Sequence, residues 1–404
     1  MNKGILVIGG GLLQERAIAC CKKLKFKVFL IDGSKNCYCK NLVDNFYHID
    51  CYDLKRILKL SKILKKNNKI HGVYTQGADF AHTVAHVAEN LGFVSVNKKS
   101  AKICKNKYLL RKKLSKNKLS NNKFFKIKSL NQLKDKIKKI KLPAYLKPLD
   151  NSASRGVIKI SDYKQIKDAY EFAIKNCVLE KSLILEEEIP GKELSVDTII
   201  YNKKIIPCGI SERKFKQKKK YAIQYASVTP AFISKKLEIE AYEVMSKAAK
   251  LLGINNSAFK GDLVIDSKTK KIKIIELTPR LSGGFDAQYR KPISYDLNLI
   301  KYTILIAMNI KFDINNLRLN FKKYSSTFSV LFDEGIFQRF ENIEKIKKIK
   351  NINKIFLLSK KNDKIEKLTN CSQRNNYFIC SADSKKQLYY THEKIKKLLN
   401  IKYA

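Results

Sequence analysis

Asp262-Leu263-Val264-Ile265, the polar run Ser267 to Lys271, and Ile272-Lys273-Ile274-Ile275-Glu276-Leu277-Thr278 read as two strands joined by a turn. With the turn centred on Thr269, Asp262 and Glu276 each lie seven residues away and face one another. Directly opposed residues on antiparallel strands have Cβ atoms about 4.5–5.5 Å apart on a shared face. Thr278 joins that face by the period of two. Two carboxylates held so close raise each other's proton affinity unless a cation lies between them. The flanks are strongly apolar, and burying unpaired acids there would be costly. The spacing therefore predicts that Asp262, Glu276 and Thr278 hold a hard divalent cation through oxygen, Mg²⁺ in preference and Mn²⁺ as a substitute. The plainer alternative is two solvated strand acids, and a pairing shifted by one residue would part them.

Two upstream segments carry further chemistry. In Lys147-Pro148-Leu149-Asp150-Asn151-Ser152-Ala153-Ser154-Arg155-Gly156-Val157 a lysine closes a strand and a loop of small residues follows. Such a loop brings a cation and backbone N–H groups close to phosphate oxygens. It lacks the Gly-Lys-Ser/Thr of a P-loop, and a ligand-free turn is the alternative. In Leu185-Glu186-Glu187-Glu188-Ile189-Pro190-Gly191-Lys192-Glu193-Leu194, three acids precede a Pro-Gly break. This reads as a hinge between strands, able to offer backbone groups to an adenine edge and a carboxylate to ribose hydroxyls, or as a simple acidic turn.

Toward the N-terminus, Gly4 to Ile8 reads as a strand running into Gly9-Gly10-Gly11, with a helix marked by Leu12, Leu13, Ala17, Ile18 and Leu24 and a strand from Val28 to Ile31. His71 to Thr75, Ala78 to Leu91 and Phe93 to Val96 continue as strand, helix and strand, which predicts a parallel sheet wound with helices and ending near residue 100. The triple glycine is not G-x-G-x-x-G, so a substrate-facing Rossmann-like unit is expected in place of an NAD site. A Lys-rich helix over 100–119 and a linker over 120–123 follow. Strands are expected at 145–147, 157–160, 183–188 and 194–200, with a strand and a charged loop over 203–230. A long helix through Ala241, Met245 and Leu252 comes next, and short strands and Lys-rich helices fill the tail.

The 404 residues predict two to four domains, and 44% hydrophobic content supports a sizeable core. The net charge of +47 invites a nucleic-acid partner, yet only 10 of the 83 basic residues are Arg and the Lys excess is spread along the whole chain. That is a compositional bias and not a recognition patch, so no specific nucleic-acid partner is expected, only salt-sensitive sticking to polyanions. The ten Cys contain no CxxC pair and read as free thiols. His82 and His86 read as partly buried helix residues, since no third ligand stands nearby. No apolar run reaches about 18 residues, and Met1-Asn2-Lys3 leads into no cleavage-like site, so a soluble, cytoplasmic protein without a membrane partner is expected.

Together the three segments, in order, spacing and content, resemble the ATP-grasp superfamily of carboxylate–amine ligases, in the branch of biotin carboxylase, carbamoyl-phosphate synthetase and the amino-acid ligases. The most specific match is Glu276-Leu277-Thr278-Pro279-Arg280-Leu281-Ser282-Gly283-Gly284. The resemblance implies an α/β fold: a Rossmann-like preATP-grasp domain over 1–100, a two-lobed α+β ATP-grasp clamp over 101–310, and a small C-terminal α/β domain over 320–404 containing Gly335-Ile336, Arg374 and Phe378-Ile379. It implies that Lys107 and Lys147 contact ATP phosphates and that Ser152, Ser154 and Gly156 belong to the loop closing over them. Glu186, with the backbone of Glu187 and Ile189, would hold adenine, and Glu193 the ribose. Asp262 and Glu276 match the metal-binding acids, and Arg280 the arginine that steadies the acyl phosphate. Arg280, Gly283, Gly284 and Arg290 are assigned to the substrate pocket, with the segment Tyr221 to Ser227 beside them. Thr278 stands where the family usually has Asn, a stronger ligand for a second Mg²⁺, and Ala153 where a loop Gly is common. The implied reaction joins a small-molecule carboxylate to an amine through an acyl phosphate, with ADP and phosphate released, in a protein expected to be a homodimer. Biotin-dependent carboxylation and a degenerate ATP-binding protein are the alternatives.

Overall fold

The computed structural model describes residues 3–120, 122–218 and 220–404. Met1, Asn2, Lys219 and Asn121 of the expected linker lie outside the described residues. The strand Gly4–Ile8 is buried along its whole length, which explains its unbroken apolar sequence. It runs parallel to Lys27–Asp32 on one side and Gly72–Tyr74 on the other, with Asn45–His48 at the outer edge. Ile5 and Val7 pack with Ala17 and Ile18 of the helix Glu15–Lys23. Leu6 and Ile8 face the opposite way, onto Ile57 and Leu64 of Leu54–Lys66 and Val87 of Ala81–Leu91. The Asn45–His48 strand and the Leu54–Lys66 helix were not legible beforehand. Phe93–Val96 forms no strand: Gly92 turns the chain with φ +66°, and Val96 tucks into a core shared with Ala101 and Cys104.

The expected helix over 100–119 is two helices, Lys98–Lys105 and Lys107–Lys116. Asn106 ends the first in extended backbone and caps the second, its side chain accepting from Leu109 N–H. A four-stranded antiparallel sheet follows, ordered Phe124–Ile127, Leu183–Glu187, Ala144–Pro148, Ile158–Ile160, with Leu130–Ile137 and Ile166–Lys175 packed on it.

The largest sheet has eight antiparallel strands, in the order Ile272–Thr278, Ser257–Asp266, Gly191–Tyr201, Lys204–Lys218, Tyr221–Thr229, Tyr324–Phe328, Asn376–Ala382 and Ile352–Leu357. The strand and charged loop expected over 203–230 are thus two long paired strands. Their charged residues hid the pattern because one face of these strands is polar, with Glu212, Arg213 and Ser227 pairing along it. The sheet also runs past residue 310 without a break, since Tyr324–Phe328 pairs with Tyr221–Thr229. The helix Lys235–Leu252 covers its apolar face through Ala241, Met245 and Leu252. Among the described residues no helix is long and apolar enough to cross a membrane.

Candidate functional site

Asp262 does pair with Glu276, and Lys260 with Thr278, but the register is not uniform along the hairpin. Near the turn Ile265 pairs with Ile272 and Leu263 with Ile274, which would carry Asp262 opposite Ile275. A bulge takes up the extra residue and brings Glu276 across from Asp262. Arg111 holds this bulge: its Nη1 donates to Ile274 O at 2.7 Å and its Nη2 to Ile275 O at 3.0 Å. Its Nε donates to Glu186 at 2.7 Å. One buried guanidinium from the Lys107–Lys116 helix therefore ties the acid pair to the hinge strand.

Each acid of the pair meets cations. Lys107 Nζ lies 3.1 Å from Glu276, Lys260 Nζ binds Asp262 Oδ2, and Arg213 Nη1 stands 3.4 Å from Asp262 Oδ1. Burial alone would raise the Glu276 carboxyl, but Lys107, Lys260 and Arg280 hold it down at about 2. Asp262 Oδ1 and Thr278 Oγ1 are buried and without a hydrogen bond. Buried oxygens are rarely left so. A carboxylate oxygen that accepts no hydrogen bond and has a guanidinium 3.4 Å away, an unpartnered threonine hydroxyl and the Glu276 carboxylate form a donor set that suits Mg²⁺.

Lys147 ends the strand Ala144–Pro148 and donates to Glu186 at 2.9 Å. Glu186 is buried between Lys147 and Arg111; desolvation would raise its carboxyl, and the two cations pull it to about 2. Its carboxylate is thus engaged in positioning Lys147. Glu187 ends the strand Leu183–Glu187 and accepts from Lys123 N–H, and Ile189 follows beside the hinge. Glu193 pairs with Arg213 at 3.0 Å; burial raises its carboxyl, which the arginine opposes.

The loop after Lys147 is built on Asn151. Its Oδ1 accepts from Ser152 N–H and Arg155 Nε, and its backbone O from Lys107 Nζ at 2.6 Å. Ala153 and Ser154 adopt φ +55° and +60°, so the alanine sits in the left-handed region that a glycine would occupy without strain. At Gly156, φ +72°, a Cβ would come within 2.7 Å of Pro148. The C-terminal lobe reaches this loop: Cys371 N–H donates to Ala153 O at 3.0 Å.

Arg280 is held with Nη1 donating to Leu281 O and Nη2 4.0 Å from Asp79, which Lys105 also pairs at 2.9 Å. Burial raises the Asp79 carboxyl, yet Lys105 and Arg280 bring it below its ordinary value. Arg280 Nε is buried without a partner. Gly283 lies against the Gly77 backbone, where a Cβ would stand 3.0 Å from Gly77 O, whereas Gly284, φ +61°, has open space around its Cβ position. Arg290 is buried and pairs with Asp286 at 3.1 Å. Of the segment assigned beside the pocket, Tyr221 and Ile223 lie instead in the core of the four-stranded unit, and Gln224 turns to Arg213.

Arg111, Lys260, Arg213 and Asp79 escaped the sequence reading. Lys260 had a signal, standing two residues before Asp262 on the same strand face. Arg213 and Asp79 had none, because their partners are fixed by long-range pairing.

Residues 140–288 match the ATP-grasp domain family. Among curated proteins, D-alanine–D-alanine ligase of Prochlorococcus marinus (strain MIT 9301) is 26% identical over 192 residues, covering 46% of this chain and 51% of its own. The chain thus spans about half the length of that relative, and 44% of the one from Flavobacterium psychrophilum. D-alanine–D-alanine ligase B of Clostridium perfringens is 26% identical over 288 residues, 67% of this chain and 91% of its own. Among solved structures, the L-amino acid ligase of Bacillus licheniformis superposes with TM-score 0.86 at 18% identity, over 100% of this chain and 99% of its own. Phosphoribosylglycinamide synthetase of Anaerococcus prevotii gives 0.74 at 20% identity, over 100% of both chains. These superpositions show the α/β fold, with its parallel N-terminal sheet and antiparallel clamp.

Proposed function

From an ATP-grasp domain over residues 140–288, we propose an ATP-dependent ligase that activates a carboxylate as acyl phosphate and joins it to an amine. The observation that carries this reading is the Asp262–Glu276 pair, facing one another beside the unbonded Asp262 Oδ1 and Thr278 Oγ1 and among cations: Lys107, Lys260 and Arg213, with Lys147 held by Glu186 and Arg280 acting on Glu276. A carboxylate oxygen attacks the γ-phosphorus of ATP, and ADP leaves. The transferring group spreads negative charge over its oxygens, so catalysis is mostly positioning and neutralisation. Lys147 and Lys107 supply that charge from the phosphate side. Glu186 and Glu276 orient these two ammonium groups. Mg²⁺ held by Asp262, Glu276 and Thr278 would add positive charge at the phosphate oxygens.

Arg280 would steady the acyl phosphate while the amine displaces phosphate, with its unpaired Nε free to donate. The 152–156 loop covers the nucleotide and excludes water, which would otherwise consume the acyl phosphate. Gly283, Gly284 and Arg290 border the substrate. Glu187 and Ile189 supply the adenine edge, and Glu193 the ribose contact.

The test is ADP release over a panel of carboxylates and amines with Mg²⁺, with hydroxylamine added to trap the activated acid. Turnover that needs both cosubstrates, and a hydroxamate in the trap, is expected. ADP release driven by bicarbonate and biotin, or none with any pair, would discard the reading.

A further inference from the structure

In a regular antiparallel ladder the carbonyls of neighbouring residues point to opposite edges of the strand. Ile274 and Ile275 depart from this, because both accept from Nη atoms of one guanidinium, that of Arg111, at 2.7 and 3.0 Å. Both carbonyls therefore face the open edge, since Ile272–Thr278 is the outermost strand of its sheet. The bulge opposite Leu263 and Asp262 is what turns the two the same way.

Facing acids do not by themselves require a bulge. With Ile275 removed, the pairs of Ile272 with Ile265, Lys273 with Val264 and Ile274 with Leu263 would run straight on into Glu276 with Asp262, Leu277 with Gly261 and Thr278 with Lys260, all of which exist already. By the period of two, Ile272, Ile274 and Leu277 would keep to the core side, where they now pack, and Glu276 and Thr278 to the other. What Ile275 adds is a second carbonyl for Arg111.

That guanidinium is 3% exposed, and each of its nitrogens donates: Nε to Glu186 Oε1 at 2.7 Å, and Nη1 to Ser120 Oγ at 3.2 Å besides its carbonyl. Glu186 Oε2 in turn accepts from Lys147 at 2.9 Å. One helical turn before Arg111, Lys107 pairs with Glu276 at 3.1 Å and donates to Asn151 O. The Lys107–Lys116 helix thus grips the Glu276 strand twice and reaches the Lys147 strand through Glu186.

We propose that Arg111 is a positioning residue with two outputs, the Glu276 carboxylate through the bulge and the Lys147 ammonium through Glu186, and that the bulge serves this fork. Only a planar guanidinium spans two carbonyls and a carboxylate at once; a lysine keeps the charge and loses the geometry. The proposal rests on the metal and nucleotide assignments of the ligase reading and adds the residue that aligns them.

Three variants of the full chain separate the outputs: Arg111→Lys, deletion of Ile275, and both changes together. Mn²⁺ uptake without nucleotide is followed by electron paramagnetic resonance, and ADP uptake in EDTA by calorimetry. In Arg111→Lys both should weaken by about tenfold or more, the loss typical of a residue that orients metal ligands. Adding the deletion should return Mn²⁺ affinity to within about threefold of wild type, because a straight ladder faces the acids without the fork, while ADP binding stays weak. Deletion alone should also keep Mn²⁺ affinity within about threefold, and it tests the bulge even where Arg111→Lys folds poorly. Wild-type Mn²⁺ affinity in Arg111→Lys, no recovery in the double variant, or loss of Mn²⁺ on deletion alone overturns the proposal. Undiminished ADP binding in Arg111→Lys overturns its Lys147 half. The expected binding pattern in a protein that turns over no pair of cosubstrates upholds Arg111 and counts against the ligase reading; two-cosubstrate turnover by a wild type that takes up no Mn²⁺ does the reverse.

Discussion

Glu193 and Asp197 share one face of the strand Gly191–Tyr201, four residues apart, yet they belong to charge clusters of opposite construction. Asp197 is fully buried, and so are Lys291 and Asp286 around it. Lys291 Nζ reaches Asp197 at 2.5 Å and Asp286 at 3.6 Å, Ser282 donates to Asp197 through N–H and hydroxyl, and Ser211 donates to Asp286. The two carboxylates and the ammonium of this triad all have partners. Around Glu193 and Asp262 the ion pairs are partly exposed, and atoms without a hydrogen-bond partner remain on Asp262, Thr278 and Arg280. The closed cluster anchors the 282–291 segment to the sheet. The other sets two acids among several cations and keeps oxygen and nitrogen atoms without hydrogen-bond partners, the arrangement on which the proposed metal and nucleotide site rests.

That contrast can be broken in two ways. Glu276→Ala should lower kcat by at least about 10³-fold, roughly 4 kcal/mol of barrier, while the thermal midpoint and circular dichroism stay near wild type. Retained turnover would remove the metal assignment. Lys291→Met should act in the reverse sense. Leaving Asp197 and Asp286 buried without their cation should cost about 3 kcal/mol of stability by denaturant titration. A neutral result would mean that the closed cluster is not an anchor.

His392 sharpens the comparison, because it too is buried, yet among the described residues no carboxylate pairs with it; it shares a hydrogen bond with Ser326 Oγ at 2.6 Å and packs against the rings of Phe328 and Tyr389. Burial pushes its imidazole down to about 4, so it is neutral in the fold. As pH falls below about 6.5 the unfolded chain binds a proton that the folded chain refuses, and stability drops until the folded group titrates. Between pH 7 and 5 this amounts to about 2 kcal/mol. His392→Gln should flatten that part of the stability–pH curve, and an unchanged slope would mean that another group dominates it.

Much of the site was legible in the chain itself. The alternation around Asp262 and Glu276, the lysine closing the strand before a small-residue loop, and the acids before Pro190-Gly191 are local patterns, and local patterns survive in sequence. The short edge strand Asn45–His48 and the long strands over 204–229 were not legible. Edge strands are only half-buried, and a strand whose polar face is itself buried among ion pairs loses its alternation signal.

The hairpin shows where the division falls. Strand, turn and strand, and the presence of two acids near its open end, follow from residue type and period alone. Whether those acids face each other does not, because counting from Thr269 sets Asp262 against Glu276 whereas the pairs actually formed next to the turn, continued without a bulge, would set it against Ile275. One extra residue in the second strand, its carbonyls held by Arg111 from a helix some 160 positions away in the chain, brings Glu276 across. A bulge costs little locally and is chosen by distant partners. Periodicity therefore determined which elements exist, and long-range pairing decided which charges meet.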